Sequence, residues 1–513
     1  MIITFGALAA FFLFIVAVLT MSWIRDRTFS DYAVGGRSFD ARFQAMSFLN
    51  TYFPGAVITA FGGMAASVGA LSFYFVTYTM LTVVLMYLMA KPVWVWGKAF
   101  DLRTQSDLLA LRFGSRHMRP ISALLGIVSG LPWLIMGMLS LGFLFQHISL
   151  HTLSFSSAVM VGVAVIGLRQ IWTVWMGMRG VVISDMAQGL IAYVGGTIVL
   201  AGMIYWMVTV KGITFDTLKP GMLAIPGLGS TEGPLFVFSL LLTGTIGGWC
   251  WPAIFVRLYT ADGVRSLKKS AALAVPVALV FGAALLIFGM LGSQIPGVAE
   301  RPDEVIFIVS REAGGLWVLA LAGVIVMAAS MGNIDGHIQA TGTQLANDLV
   351  GNYWALDHRQ LIFIAKGGMV LLTLFSAWLA CLDLPKLVSI AILAYQCVIQ
   401  LAVPQFLGLF WRRGNHVGAI AGMTVGFALA IVLEYFSPMS LPWAYGLTSG
   451  LVALCVNLAI YVACAYLIPQ SAEERRRVDA LFARIGAREA GDVEIQEAGE
   501  FQDAGEVAAS AGA

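Results

Sequence analysis

Charge is the scarcest property of this chain. Lys, Arg, Asp and Glu make up 11% of its 513 residues, where a soluble domain carries about 25%. Hydrophobic residues reach 59% and the mean hydropathy is +0.85. No soluble domain of useful size fits that composition. The net charge of +2 is close to balanced, and the basic residues sit at the ends of apolar segments rather than in one patch, so no nucleic-acid partner is indicated. Cysteine is scarce too. Cys250, Cys381, Cys397, Cys455 and Cys464 have no ligand spacing, which excludes a disulfide framework and a zinc site and leaves small core residues. Zinc-ligand spacing, a Walker loop, a Rossmann glycine pattern and a nucleophile elbow are all missing, and nothing argues for an enzyme.

What is present is a series of long uncharged runs. A membrane span needs about 20 apolar residues. The runs divide into thirteen spans, numbered 0 to 12: 2–24, 43–62, 70–96, 120–146, 152–168, 180–208, 233–257, 270–295, 313–346, 360–382, 387–411, 414–436 and 441–467. The first is not a cleaved signal peptide, because Arg25 and Arg27 follow the apolar stretch instead of preceding it. It reads as a span with its N-terminus outside. That orientation places 25 Lys and Arg residues inside and 5 (Lys211, Lys219, Arg301, Arg311, Lys386) outside, as the positive-inside rule requires. The membrane-spanning domain is 1–467. The tail, 468–513, lies in the cytoplasm, with a short charged helix after Pro469 and then a disordered stretch rich in Ala, Gly and Glu.

Two spans are interrupted by glycine and proline. Span 1 carries Pro54-Gly55 and Gly62-Gly63, and span 6 carries Gly244, Gly247-Gly248 and Pro252. They lie five spans apart. Lipid cannot satisfy the backbone groups that an interrupted helix exposes. Interruptions at matching places in two halves point to an inverted-repeat transporter with its site at the breaks. Tight helix packing is the other reading of such glycines.

Polar side chains at membrane depth concentrate in span 8. Ser330, Asn333, His337, Thr341 and Gln344 follow helical spacing and form one stripe, and Asp335, Gln339 and Thr343 form a second. Such stripes face a solute pathway or bond helices to one another. Asp185, three residues before Gln188 in span 5, reads as a carboxylate at the inner edge of that pathway or as a membrane-edge charge in water. Near the breaks lie Asn50, Thr51, Tyr52 and Phe53, then Thr243, Thr245, Trp249, Trp251 and Phe255. Unwound carbonyls suit a hard cation, half-helix N-termini suit an anionic group, and aromatics wall a small solute or simply fill the core.

In order and spacing these residues resemble the sodium/solute symporter family from about residue 30 to 430. The resemblance rests on Asp31-Tyr32-Ala33-Val34-Gly35-Gly36-Arg37 before span 1, and on Thr104 through Arg112-Phe113-Gly114 after span 2. It continues with Gly180 through Asp185 and Gln188, Pro252 with Arg257, and Ala328-Ala329-Ser330-Met331 through Asp335 to Asn347-Asp348. It ends on Pro404 through Trp411 with Arg413. The resemblance implies an all-α membrane protein of the leucine-transporter type: about thirteen transmembrane helices, a five-plus-five inverted repeat, and broken helices 1 and 6. It implies sodium-coupled solute uptake, with the ion between span 1 carbonyls (near Asn50 and Phe53) and span 8 hydroxyls. This chain departs from that pattern. The family's pair of hydroxyl residues aligns with Gly332 and Asn333, so a proton competes with sodium as the coupling ion.

The resulting expectation is a multi-pass inner-membrane symporter that imports a small organic solute, a carboxylate by preference, through alternating access. Asn50, Phe53, Ser330, Asn333, Asp335 and Asp185 are its candidate ion-binding residues. Thr51, Tyr52, Thr245, Trp249, Trp251, His337 and Tyr395 are its candidate solute-binding residues. Its partners are the solute, the coupling cation and the lipid bilayer; a bound sodium ion is the only cofactor expected. The alternative is a transporter-like sensor that signals through a partner on the tail.

Overall fold

The computed structural model describes residues 1–23, 28–225, 227, 230, 232–382 and 387–487. Arg25, Arg27, Pro226, Lys386, Arg488 and the tail expected to be disordered lie outside the described residues. Two units separate, Met1–Pro469 and Gln470–Ala513. The second contributes one described helix, Ala472–Ala487, which begins with Glu473 and Glu474 in its first turn. Acidic side chains there oppose the positive end of the helix dipole.

Within Met1–Pro469 the described residues are helical. They pair as strands nowhere beyond two isolated bridges, Phe39 with Ala261 and Leu441 with Leu447. Ten helical stretches are long and apolar enough to cross a membrane, or up to eleven if one bent pair counts as a span. Some are too long to be single straight crossings. Phe155–Thr209 has 55 residues, about 80 Å of helix against a hydrocarbon core of about 30 Å. It turns at Gly177, where φ is 56° and ψ is −144°. L residues avoid that conformation, and a Cβ there would overlap the carbonyl oxygen of Tyr32. Gly69 and Gly315 interrupt Gly55–Ala99 and Pro302–Val350 in the same way.

Apolar and polar residues are distributed as hydrocarbon requires. Phe363, Leu371, Leu374 and Trp378 face outward, while Asn50, Asp185, Gln188, Asn333 and Asp335 are buried. Lipid solvates the first group, and only other parts of the protein can satisfy the second.

Both interruptions seen in the sequence are breaks in helices. Ala41–Tyr52 stops at Phe53 (φ −113°, ψ 66°), and the helix resumes as Gly55–Val68. Pro54 has no N–H, so the carbonyl of Asn50, four residues earlier, gets no helical donor. Phe236–Gly247 and Pro252–Thr260 meet at a bend of 48°. Trp251 is extended there (φ −71°, ψ 120°), and Pro252 opens the second piece, where its fixed φ suits a first helical position. Between spans 2 and 3 the chain folds into the helix Gln105–Phe113. Thr104 and Asp107 cap it reciprocally and Gly114 closes it.

Candidate functional site

The break in span 1 is held by side chains from spans 5 and 8. Asn50 uses all of its amide atoms. Its Nδ2 donates to Asp185 Oδ1 at 2.9 Å and to Gln188 Oε1 at 3.0 Å, and its Oδ1 accepts from the Tyr193 hydroxyl at 2.9 Å. The same hydroxyl lies 2.8 Å from the carbonyl oxygen of Phe53, so one proton is shared between two acceptors. From span 8, Asn333 Nδ2 donates to the carbonyl oxygen of Thr51 at 2.8 Å. These amide orientations are fixed by their neighbours: turning either one over would set an oxygen against a carboxylate or a carbonyl.

Two glycines let these helices approach. A Cβ on Gly332 would overlap Asn50 Nδ2 and come within 2.7 Å of Asp185 Oδ1. A Cβ on Gly55 would overlap Ser330 Oγ. Ser330 is therefore at the break, as expected, packed against the start of the second half-helix.

Four charges are buried beside the break. Asp185 accepts from Ser47 Oγ at 2.7 Å and faces Arg257 Nη2 at 3.2 Å. Arg257 Nη2 also donates to Thr51 Oγ1 at 2.9 Å. Asp335 lies against Arg169 Nη1, and Arg169 Nη2 donates to Ser184 Oγ at 2.7 Å. All four side chains are 2% exposed or less. Two carboxylates and two guanidiniums make a neutral group, as burial demands.

A cluster of aromatic rings lies nearby. Trp251, on the unwound stretch of span 6, meets Tyr395 edge-on at 5.2 Å, Trp133 at 6.1 Å and His337 at 6.4 Å between ring centroids. Tyr52 donates to Thr82 Oγ1 at 3.2 Å. A pocket of about 20 Å³ lies among Phe61, Tyr74, Tyr78, Thr243, Tyr395 and Gln396, room for about one water.

The sequence-predicted residues do not all converge. Asn50, Thr51, Phe53, Ser330, Asn333 and Asp185 meet at the break. Asp335 is two residues along the helix from Asn333, so it points to a different side and meets Arg169. Asp185 is not a carboxylate in water at the membrane edge but a buried acceptor with an arginine partner. Trp249 does not join Trp251. It is fully buried, stacked on Phe48 at 5.5 Å, and its indole N–H donates to the carbonyl oxygen of Thr82 at 2.8 Å. The Thr245 hydroxyl is buried without a hydrogen-bond partner.

Sequence reasoning gave Arg169 and Arg257 no place at the site: both count among the inside charges that set topology, and Arg257 enters only as part of the family resemblance. Both are interior. The signal was available: Asp185 and Asp335 lie within apolar spans and need cationic partners. Ser47, Ser184, Tyr193 and Trp133 were also missed, and in the sequence nothing separates them from ordinary span residues.

Comparison with known proteins bears on the family and the fold. The family model described as "Sodium:solute symporter family" matches residues 32–426. The chain is 22% identical over 462 residues to the Uncharacterized symporter YhjB of Bacillus subtilis (strain 168), covering 86% of this chain and 92% of that protein. It is 23% identical over 473 residues to the Monocarboxylic acid transporter of Corynebacterium glutamicum, covering 84% and 83%. Its fold is similar to the substrate-bound, outward-open state of a Na+-coupled sialic acid symporter, with TM-score 0.71, 16% identity, and 91% of this chain and 98% of that one covered. With a match this long and the same helical fold, the chain belongs to the sodium:solute symporter family.

Proposed function

We propose that this protein is a secondary transporter of the inner membrane that imports a small organic carboxylate together with a coupling cation. It works by alternating access across thirteen spans arranged as a five-plus-five inverted repeat. The observation that carries this reading is the pair of broken helices five spans apart, with polar side chains gathered at the first break. The bends at Gly69 and Gly177 support the count, because each divides a stretch too long for one crossing.

The solute binds beside Trp251, Tyr395 and His337, with Thr51, Tyr52 and Thr245 at the edges of the same region. A carboxylate is favoured because the half-helix Gly55–Val68 begins at the span 1 break, against Ser330, and its positive end attracts an anion. The relative named for monocarboxylic acids supports the same solute class. The pocket near Tyr395 has room for about one water, so helices must part there to admit a solute. The coupling cation is sodium or a proton, and which of them acts depends on the contacts around Asn50 and Asn333.

The test is accumulation of labelled acetate or pyruvate in proteoliposomes under an imposed sodium or proton gradient. Accumulation of unchanged solute against its gradient is expected. Equilibration without accumulation under either gradient would count against symport. Trp251→Ala and His337→Ala should raise the solute concentration needed for half-maximal uptake. An unchanged half-saturation in both variants would remove them from the solute site.

A further inference from the structure

We infer that two carboxamides, Asn50 and Asn333, stand where the family's coupling sodium would sit between spans 1 and 8, and that this transporter works without sodium. The inference rests on the transport function proposed above and concerns only its coupling ion.

Sodium needs several oxygens converging on one point. The family resemblance supplies them from span 1 carbonyls near Asn50 and Phe53 and from two span 8 hydroxyls. In this chain the two hydroxyl positions are Gly332 and Asn333. Gly332 has no side chain, and the space it leaves contains Asn50 Nδ2. Asn333 turns its Nδ2 toward the break and donates to the carbonyl oxygen of Thr51 at 2.8 Å. Two N–H₂ groups, positive at their hydrogens, therefore occupy the place of two oxygens.

The orientations cannot be reversed cheaply. Asn50 Nδ2 faces Asp185 Oδ1 and Gln188 Oε1, and Asn333 Nδ2 faces a carbonyl. A flip would bring acceptors against acceptors. Of the span 1 carbonyls at the break, that of Phe53 accepts from Tyr193 at 2.8 Å, while that of Asn50 is left without a helical donor by Pro54.

Charge gives an independent argument. Both nearby carboxylates already have arginine partners, Asp185 with Arg257 and Asp335 with Arg169. The group is neutral as it stands, so no unpaired carboxylate is left there for sodium to neutralise. Two acceptors at the break, Ser330 Oγ and Asn333 Oδ1, have no hydrogen-bond partner. With the Asn50 carbonyl they make three oxygens, too few to surround a sodium ion without the carbonyls and carboxylates that donors have taken.

The donors also perform the mechanical task that an ion would perform. Asn333 ties span 8 to span 1 through Thr51, Asn50 ties span 1 to span 5 through Asp185, and Arg169 ties span 8 to span 5 through Ser184.

The deciding experiment measures equilibrium binding of ²²Na⁺ to the purified full-length protein in detergent, with excess unlabelled sodium as the blank. Alongside it, uptake of labelled pyruvate is measured in sodium and in choline media under the same proton gradient. We expect no saturable ²²Na⁺ binding and equal uptake in the two media. Saturable ²²Na⁺ binding, or loss of uptake in choline, would overturn the inference. If no gradient drives uptake of any carboxylate tested, the proposed function fails, and the binding measurement still decides the question of sodium.

Discussion

Removing one member of the Arg169–Asp335 pair should destabilise the protein far more than removing both. Arg169→Ala leaves Asp335 as a carboxylate buried without a cation, and Asp335→Ala leaves the guanidinium in the same position. Breaking a buried pair in this way costs about 3–5 kcal/mol. Replacing both with apolar side chains of similar volume, Arg169→Met with Asp335→Leu, is often neutral or stabilising. The contrast arises because desolvation of each charge has already been offset by its partner, so the loss of one exposes the whole penalty of the other.

The pair suits such a test because it is isolated. Both side chains are fully buried, and the one other side-chain oxygen bonded to Arg169 is Ser184 Oγ, among the described contacts. The measurement is the unfolding free energy in detergent of the wild type, the two single variants and the double variant. Large losses in both singles, with the double close to wild type, are expected. Additive losses would mean that the two groups do not interact, whatever their proximity. Uptake should follow a different order. The double variant keeps its stability but loses the tie between span 8 and Ser184, so it should transport more slowly than the wild type.

The parts of this structure legible in the sequence are those governed by local chemistry. Pro54 removes a donor wherever it stands, so a break near residue 54 follows from the residue itself. The span 8 stripe is legible because helical spacing alone puts Ser330, Asn333 and His337 on one side. The pairing of Arg169 with Asp335 was not legible, because it joins residues 166 positions apart and depends on how two spans rotate against each other. Arg169 follows an uncharged run, and that position reads alike whether the side chain turns out to the cytoplasm or into the bundle.

Trp249 and Trp251 show a related limit. They are two residues apart on an unwound stretch, where neither helical nor strand periodicity determines which ring faces inward. The structure sends Trp249 to Phe48 and Trp251 to Tyr395. The fit of Asn50 to Gly332 is a third case. An absent side chain on one span is matched by a present one on another, and each is unremarkable alone.

That match carries the second large effect. Gly332→Ala should destabilise the join of spans 1, 5 and 8, because the new methyl group would occupy the place of Asn50 Nδ2. Asn50 cannot simply move aside. Asp185, Gln188 and Tyr193 hold its amide on every polar atom, and displacing it leaves buried acceptors unpaired. Overpacking of a filled interior costs about 1–3 kcal/mol, and each abandoned buried polar group adds about 1–3 kcal/mol. Asn50→Ala alone should also destabilise, through those unpaired groups, but it opens the space that an alanine at 332 needs. Gly332→Ala should therefore cost much less in the Asn50→Ala background than in the wild type, and what cost remains comes from the approach of the new methyl group to Asp185 Oδ1. Such non-additivity is what contact between two sites produces. Unfolding free energies of the four proteins in detergent give the coupling directly. If Gly332→Ala costs the same with and without the Asn50 side chain, the two residues do not share the space, and the assignment of that place to a carboxamide rather than an ion loses its steric support.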